Sequence, residues 1–119
     1  MLFRSGSVGL TTPQAKELAA AEGFEIAETR SYFKGNSKAL AEGETDGIAK
    51  VIYRKDTGEV LGAHIFGLHA ADLIQEVANA IAQRQTIETL AFQVHTHPTL
   101  TEVVDEAYKK ALPTIMALA

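Results

Sequence analysis

No cysteine occurs in the 119 residues. That absence excludes disulfides, thiolate catalysis and Cys-based zinc sites together. Long apolar runs are missing too, and the longest fall far short of the ~20 residues a membrane-spanning helix needs. The opening Met1-Leu2-Phe3-Arg4-Ser5-Gly6 has no apolar core of signal-peptide length. No membrane partner is expected, and the expected compartment is the cytoplasm, or an organelle matrix or stroma if a targeting peptide has been lost. Basic residues are in deficit, with 11 Lys and Arg against 15 Asp and Glu and a net charge of -4. An acidic chain repels phosphate, so nucleic acid is not an expected partner. Only three prolines occur, each at an expected helix boundary. With 46% hydrophobic and 22% charged residues, the chain has the composition of one ordinary globular domain.

The pattern along the chain places the elements. Thr11 and Thr12 offer caps, Pro13 suits the first helical position, and Gln14 lies three after Thr11. A helix is predicted over Gln14–Glu22, stopped by Gly23. Phe24–Phe33 alternates and reads as a strand, followed by a turn at Lys34-Gly35-Asn36-Ser37. Ala39–Asp46 reads as a loop or short strand. Ile48–Arg54 and Val60–Gly67 are strands, and Lys55-Asp56-Thr57-Gly58 makes them a hairpin. Ala70–Arg84 is helical, with Leu73, Val77 and Ile81 four apart and a polar stripe of Asp72, Glu76, Asn79 and Gln83. Ile74, Ala78 and Ala80 widen its apolar face enough to serve both a core and a partner. A short helix is expected at Thr86–Leu90, an extended stretch at Phe92–His95, and a last helix over Thr99–Leu112, ended near Pro113. Segregated strands and helices with an antiparallel hairpin make an α+β fold, an antiparallel sheet with helices packed on it.

Four histidines are candidates for chemistry: His64, His69, His95 and His97. His64 alternates within a strand and reads as a hydrogen-bonded sheet residue. His69, just before a helix, reads as a cap or loop residue. His95 and His97 are two apart, which puts both on one face if the backbone is extended. With Glu102 they would make a three-ligand metal site, but no third ligand has a recognisable spacing, and no metal is expected. Pro98 keeps His97 out of the following helix. Glu102, one turn into that helix, is then within reach of the imidazole. Two roles for Glu102 stay open on spacing alone. A carboxylate that accepts from Nδ1–H fixes the tautomer and leaves Nε2 as a base. Thr99-x-x-Glu102 is also a capping box, in which Glu102 serves only a backbone N–H.

The segment His95-Thr96-His97-Pro98-Thr99-Leu100-Thr101-Glu102 resembles the terminal His-x-His-Pro-Thr-Leu-Ser/Thr-Glu motif of the dihydrolipoamide dehydrogenases. Further matches run in the same order. Ser7-Val8-Gly9-Leu10-Thr11 resembles the opening of that family's dimerisation domain. Ala39-Leu40-Ala41-Glu42-Gly43-Glu44-Thr45-Asp46-Gly47 and Leu61-Gly62-Ala63-His64-Ile65-Phe66-Gly67 resemble two of its internal stretches. Ala71-Asp72-Leu73-Ile74-Gln75-Glu76 resembles its next helix. The resemblance implies a dimerisation domain over residues 7–119, after a non-family stretch at 1–6. It implies a two-fold homodimer in which His97 is the general base and Glu102 orients it, acting on the redox disulfide of the other subunit. It also implies that His97 and Pro98 line the partner subunit's FAD site through their backbone. The parent would use FAD and NAD and would serve the lipoyl domain of a 2-oxo acid dehydrogenase complex.

This sequence departs from that pattern. There is no cysteine pair and no G-x-G-x-x-G, so the chain by itself is expected to bind neither FAD nor NAD and to be inactive. Leu68-His69 stands where Pro-Asn is commoner. The runner-up readings are a free-standing homodimeric interaction module without chemistry and the equivalent domain of another flavoprotein disulfide reductase. A small metal enzyme built on His95, His97 and Glu102 is a third.

Overall fold

The structure, a computed structural model, describes residues 5–117. Residues 1–4 of the expected N-terminal stretch lie outside the described residues. Four strands form one antiparallel sheet in the order β1-β4-β3-β2. They are β1 (Ser5–Gly9), β2 (Ile26–Tyr32), β3 (Ile48–Arg54) and β4 (Val60–Phe66). The helices are α1 (Thr12–Glu22), α2 (Ser37–Glu42), α3 (Ala70–Ala82), α4 (Ile87–Ala91) and α5 (Thr101–Met116). The α+β architecture read from periodicity is therefore the one observed, with the three expected strands in place.

Strand β1 was not legible as a strand. Its sequence Ser-Gly-Ser-Val-Gly lacks apolar alternation, yet it pairs with β4 from Ser5 opposite Phe66 to Gly9 opposite Gly62. It takes in Ser5 and Gly6, which the sequence reading set outside the domain. Small residues suit the site. A Cβ on Gly6 would lie 2.8 Å from the Ala70 carbonyl and 3.1 Å from Ile74. The missing side chain lets α3 sit directly on the strand.

Helices α3 and α5 cover one face of the sheet. Ala63 and Ile65 of β4 meet Leu73, Val77 and Ala80 of α3, while Val51 and Tyr53 of β3 join Val104, Ala107 and Tyr108 of α5 in one buried core. Strand β2 is fastened to α5 by hydroxyls: Thr29 donates to the Ala107 carbonyl at 2.8 Å, and Ser31 donates to that of Val103. On the other face Thr12, at the start of α1, donates to Glu28 at 2.7 Å and accepts from Lys50 at 3.0 Å. The Thr11–Gln14 capping box is complete in both directions, as its spacing predicts.

Several boundaries differ from the sequence reading. Phe24 precedes β2, and its ring lies under the Arg54 guanidinium at 4.0 Å. Phe33 follows β2 in a 3-10 turn and is fully buried. The expected loop or strand at Ala39–Asp46 begins as α2. Asn36 caps it by accepting from the Ala39 N–H at 2.9 Å, and Gly43 ends it with a φ of 70°. Asn36 and Gly43 thus bracket a helix that a turn reading passed over. The expected extended stretch at Phe92–His95 forms no strand. Helix α5 starts at Thr101 and passes through Pro113 to Met116. Pro113 and Lys109, one turn before it, are both exposed. The carbonyl that loses its helical donor is thus on the solvent side, where water replaces the bond.

Candidate functional site

Between Ala91 and α5 the chain runs without regular structure through residues 92–100, and this loop carries both His95 and His97. The His97-Pro98 peptide bond is cis. The His97 side chain is 67% exposed. Its Nδ1 lies 2.9 and 3.0 Å from the two Glu102 oxygens. A carboxylate accepts only, so Nδ1 carries the proton, and in the neutral ring Nε2 is the nitrogen with the lone pair. The spacing expectation is met in the structure: Glu102, in the first turn of α5, reaches back to His97.

The capping alternative is met in half. The Thr99 N–H donates to Glu102 Oε1 at 3.0 Å. The reciprocal half is absent, because the Thr99 hydroxyl donates to the Thr96 carbonyl at 2.6 Å and lies 2.6 Å from the Thr101 hydroxyl. The helix N-cap is Leu100, which has no side-chain cap bond. One carboxylate therefore serves a backbone amide and an imidazole together, and the two readings are not exclusive. The Thr99 N–H, and after it the His97 ring, hold the Glu102 carboxyl below its ordinary value, against the opposing effect of desolvation. Buried Asn36 steadies the loop from the α2 side, donating to the Thr99 carbonyl at 2.9 Å.

His95 and His97 do not converge. His95 Nε2 lies 3.1 and 3.0 Å from the Glu76 oxygens, and its Nδ1 lies 3.1 Å from Asp105 Oδ1. Among the described residues no group of three His, Cys, Asp or Glu side chains could hold a metal ion. The structure does not bring His95, His97 and Glu102 together as one three-ligand set, because the two rings face different carboxylates. His64 is the hydrogen-bonded sheet residue expected, with Ser7 at 3.0 Å on Nδ1 and the Leu10 carbonyl at 3.1 Å on Nε2. His69 stands at the N-cap of α3 in a left-handed conformation (φ 57°) and makes no side-chain cap bond, though its ring is 3.6 Å from Asp72.

Sequence reasoning missed Glu76, placed only in the polar stripe of α3, and Asp105. A signal for Asp105 was present: it falls among Val103, Val104, Ala107 and Tyr108, the buried residues of α5.

Chemically, an exposed imidazole anchored through Nδ1 can take a proton at Nε2 from a group brought within ~2.6–3.2 Å. The chain supplies no thiol or disulfide beside it, having no cysteine. The groove beside Glu102, lined by Asn36, Asp105 and Lys109 among others, holds about 210 Å³. That is short of the ~300–1,000 Å³ usual for small-ligand sites.

The model of the pyridine nucleotide-disulphide oxidoreductase dimerisation domain matches residues 3–108. A dihydrolipoyl dehydrogenase of Synechocystis is 69% identical over 105 residues, covering 88% of this chain and 22% of that protein. Dihydrolipoyl dehydrogenase 2, chloroplastic, of Arabidopsis thaliana is 60% identical over 104 residues, covering 87% of this chain and 18% of that protein. The chain thus spans about a fifth of the length of these relatives. The HOCl-induced flavoprotein disulfide reductase RclA from Escherichia coli shares the fold, with a TM-score of 0.80 over 89% of this chain and 23% of that one at 24% identity. The chain belongs to the pyridine nucleotide-disulphide oxidoreductase dimerisation-domain family, and its similar relatives include dihydrolipoyl dehydrogenases.

Proposed function

We propose that this chain is the dimerisation domain of a dihydrolipoyl dehydrogenase and supplies its general base in trans. The observation that carries the reading is the exposed His97 ring, tied through Nδ1 to Glu102 at 2.9 Å with Nε2 left basic. In this reading His97 Nε2 takes the proton of a dihydrolipoyl thiol. The thiolate so formed attacks the redox disulfide held by the other subunit. Glu102 orients the ring and stabilises the imidazolium that forms.

FAD and NAD belong to the parent enzyme, where they carry the electrons. The exposed His97–Pro98 backbone would border the partner's flavin, and no part of this chain would enclose either cofactor. A homodimer, a lipoyl domain as substrate carrier, and a cytoplasmic or organellar location complete the proposal. The chloroplastic name of the Arabidopsis relative favours an organelle. Among the described residues no helix is long and apolar enough to cross a membrane. The absence of cysteine favours treating the chain in isolation as a dimerising module without chemistry. That second reading differs from the first only within the full-length enzyme.

The test is substitution in a full-length enzyme carrying this domain. His97→Gln is expected to slow dihydrolipoyl oxidation by ~10²–10⁴-fold, the usual worth of a positioned base, with flavin still bound. Glu102→Gln is expected to slow it less, because the imidazole persists. Near-normal turnover of the His97 variant overturns the assignment.

A further inference from the structure

The loop that carries His97 has one inward-facing side chain before Thr99. Residues 92 to 98 are exposed except for His95, whose side chain is only 6% exposed. That ring is wedged between two helices. Glu76 of α3 meets Nε2 at 3.0 Å, and Asp105 of α5 lies 3.1 Å from Nδ1. Tyr108 of α5 closes the pocket, its ring centroid 6.3 Å from that of His95. Lys109 holds the far side of Asp105, with Nζ 2.7 Å from Oδ2. Asp105 lies three residues after Glu102 on α5, so the two carboxylates share a side of the helix.

We propose that His95 is a positioning residue for His97: buried between Glu76 and Asp105, it pins the 92–98 loop to α3 and α5 and so sets where the His97 ring stands against Glu102. Among the described residues the loop's other tethers lie toward its two ends: the Gln93 N–H on the Leu90 carbonyl at 3.2 Å, the Thr99 hydroxyl on the Thr96 carbonyl, and Thr99 and Leu100 themselves. Without His95 the stretch from Phe92 to Pro98 has no buried side chain, and its one side-chain bond to the protein is that of His97 to Glu102. A loop held only at its ends samples many conformations in between, and a catalytic ring must be held to within ~0.5 Å of its working position. The two-residue step from His95 to His97 makes the buried ring the nearest fixed point to the exposed one. Burying an imidazole is costly unless its nitrogens are engaged; here Nε2 is bonded to Glu76, while Nδ1 and Asp105 Oδ1, 3.1 Å apart, form no hydrogen bond, so the Glu76 side is what suits the pocket to a histidine. The catalytic consequence rests on the proposed role of His97; the geometry of the loop does not.

The experiment uses the full 119-residue chain and reads three signals by NMR. The first is the exchange rate of the Thr99 amide, which is bonded to Glu102. The second is the tautomer of the His97 ring, from its nitrogen shifts. The third is the exchange of the Val51 amide in β3, as a control for global stability. In His95→Leu the Thr99 amide is expected to lose at least tenfold of its protection, and His97 to become a mixture of tautomers, with Val51 changed by less than twofold. His95→Gln, which keeps an N–H for Glu76, is expected to recover part of both signals. If His95→Leu does not fold, Glu76→Leu removes the acceptor and leaves the imidazole in place, and a selective loss of at least threefold at Thr99 is expected. An unchanged Thr99 amide and His97 tautomer would overturn the proposal. So would a uniform loss in which Val51 falls by the same factor, since that marks a purely structural residue. These readouts contain no turnover, so their failure is distinct from failure of the proposed base.

Discussion

Glu102 accepts from two donors, and substitutions can separate them. Glutamine keeps an oxygen for the Thr99 N–H and loses the charge that holds the His97 ring. Alanine removes both. Glu102→Ala is therefore expected to cost ~0.5–1.5 kcal/mol of stability, the usual worth of such a bond, and Glu102→Gln less, as read by urea unfolding. Equal costs would mean that the Thr99 bond carries none of it. The lowered Glu102 pKa has a defined sign. Its contribution is complete above the unfolded value, near 4.5, and is lost as pH falls through the depressed folded value. Melting temperature is thus expected to fall on acidification below pH ~4.5, and less steeply in Glu102→Gln than in the unsubstituted chain. Glu28 adds to the same acid limb, since the Thr12 hydroxyl and then Lys50 hold its carboxyl low against desolvation. Tyr108 moves the other way: burial, with Glu76 and Asp105 nearby, pushes its phenol well above the ordinary value, so it stays protonated across that range.

Among the elements, two contacts decide how closely the sheet is dressed. Ser31 is fully buried and donates to the Val103 carbonyl of α5. Removing its hydroxyl leaves no orphan donor, so Ser31→Ala is expected to cost only ~0.5–1.5 kcal/mol. Ser31→Val adds volume to a packed site and is expected to cost more, ~1–3 kcal/mol. Denaturation midpoints that rank the two in reverse would show that β2 and α5 are not in close contact there. Gly62 of β4 is the other contact. A Cβ there would lie 2.1 Å from the Leu10 carbonyl, so the β1–α1 connection must move. Gly62→Ala is expected to destabilise by at least ~1–3 kcal/mol and to raise the exchange rate of the Leu10 amide, now bonded to the Leu61 carbonyl at 3.0 Å. An unchanged midpoint would mean that the connection is free to yield.

Across the whole molecule, apolar side chains remain exposed where a dimer would use them. Phe92 is 72% and Val94 96% exposed on the same loop that carries the proposed base. Of the exposed residues of α3, Ala71, Gln75, Asn79 and Ala82 carry no charge, and only Asp72 in the first turn does. In a two-fold assembly the same patch serves both partners. The 92–102 segment and the outer side of α3 are therefore expected in the interface. Phe92→Asp with Val94→Asp is expected to weaken self-association at least tenfold in sedimentation equilibrium, with little change in melting temperature once monomeric. Undiminished association would remove this loop from the interface.

How much was legible in the sequence follows from how far apart the partners are. The Thr11–Gln14 box, the β3–β4 hairpin, the amphipathic α3 and the His97–Glu102 pair all join residues a few positions apart. Periodicity and steric rules act over that range. The pair's two possible roles stayed open in the sequence, because spacing places Glu102 near both His97 and Thr99 without saying which donor it takes. Helix α2 and the path of α5 through Pro113 were misread, because a cap, a stop and a proline were weighed without knowing which groups face water. The sequence by itself determined the α+β class, three of the four strands and the candidate base. Only the tertiary structure decided that β1 closes the sheet edge and that His95 meets Glu76, nineteen residues away. The physical reason is that this contact depends on how α3 and α5 pack over one sheet, and packing is set by the whole core and not by any local run of residues.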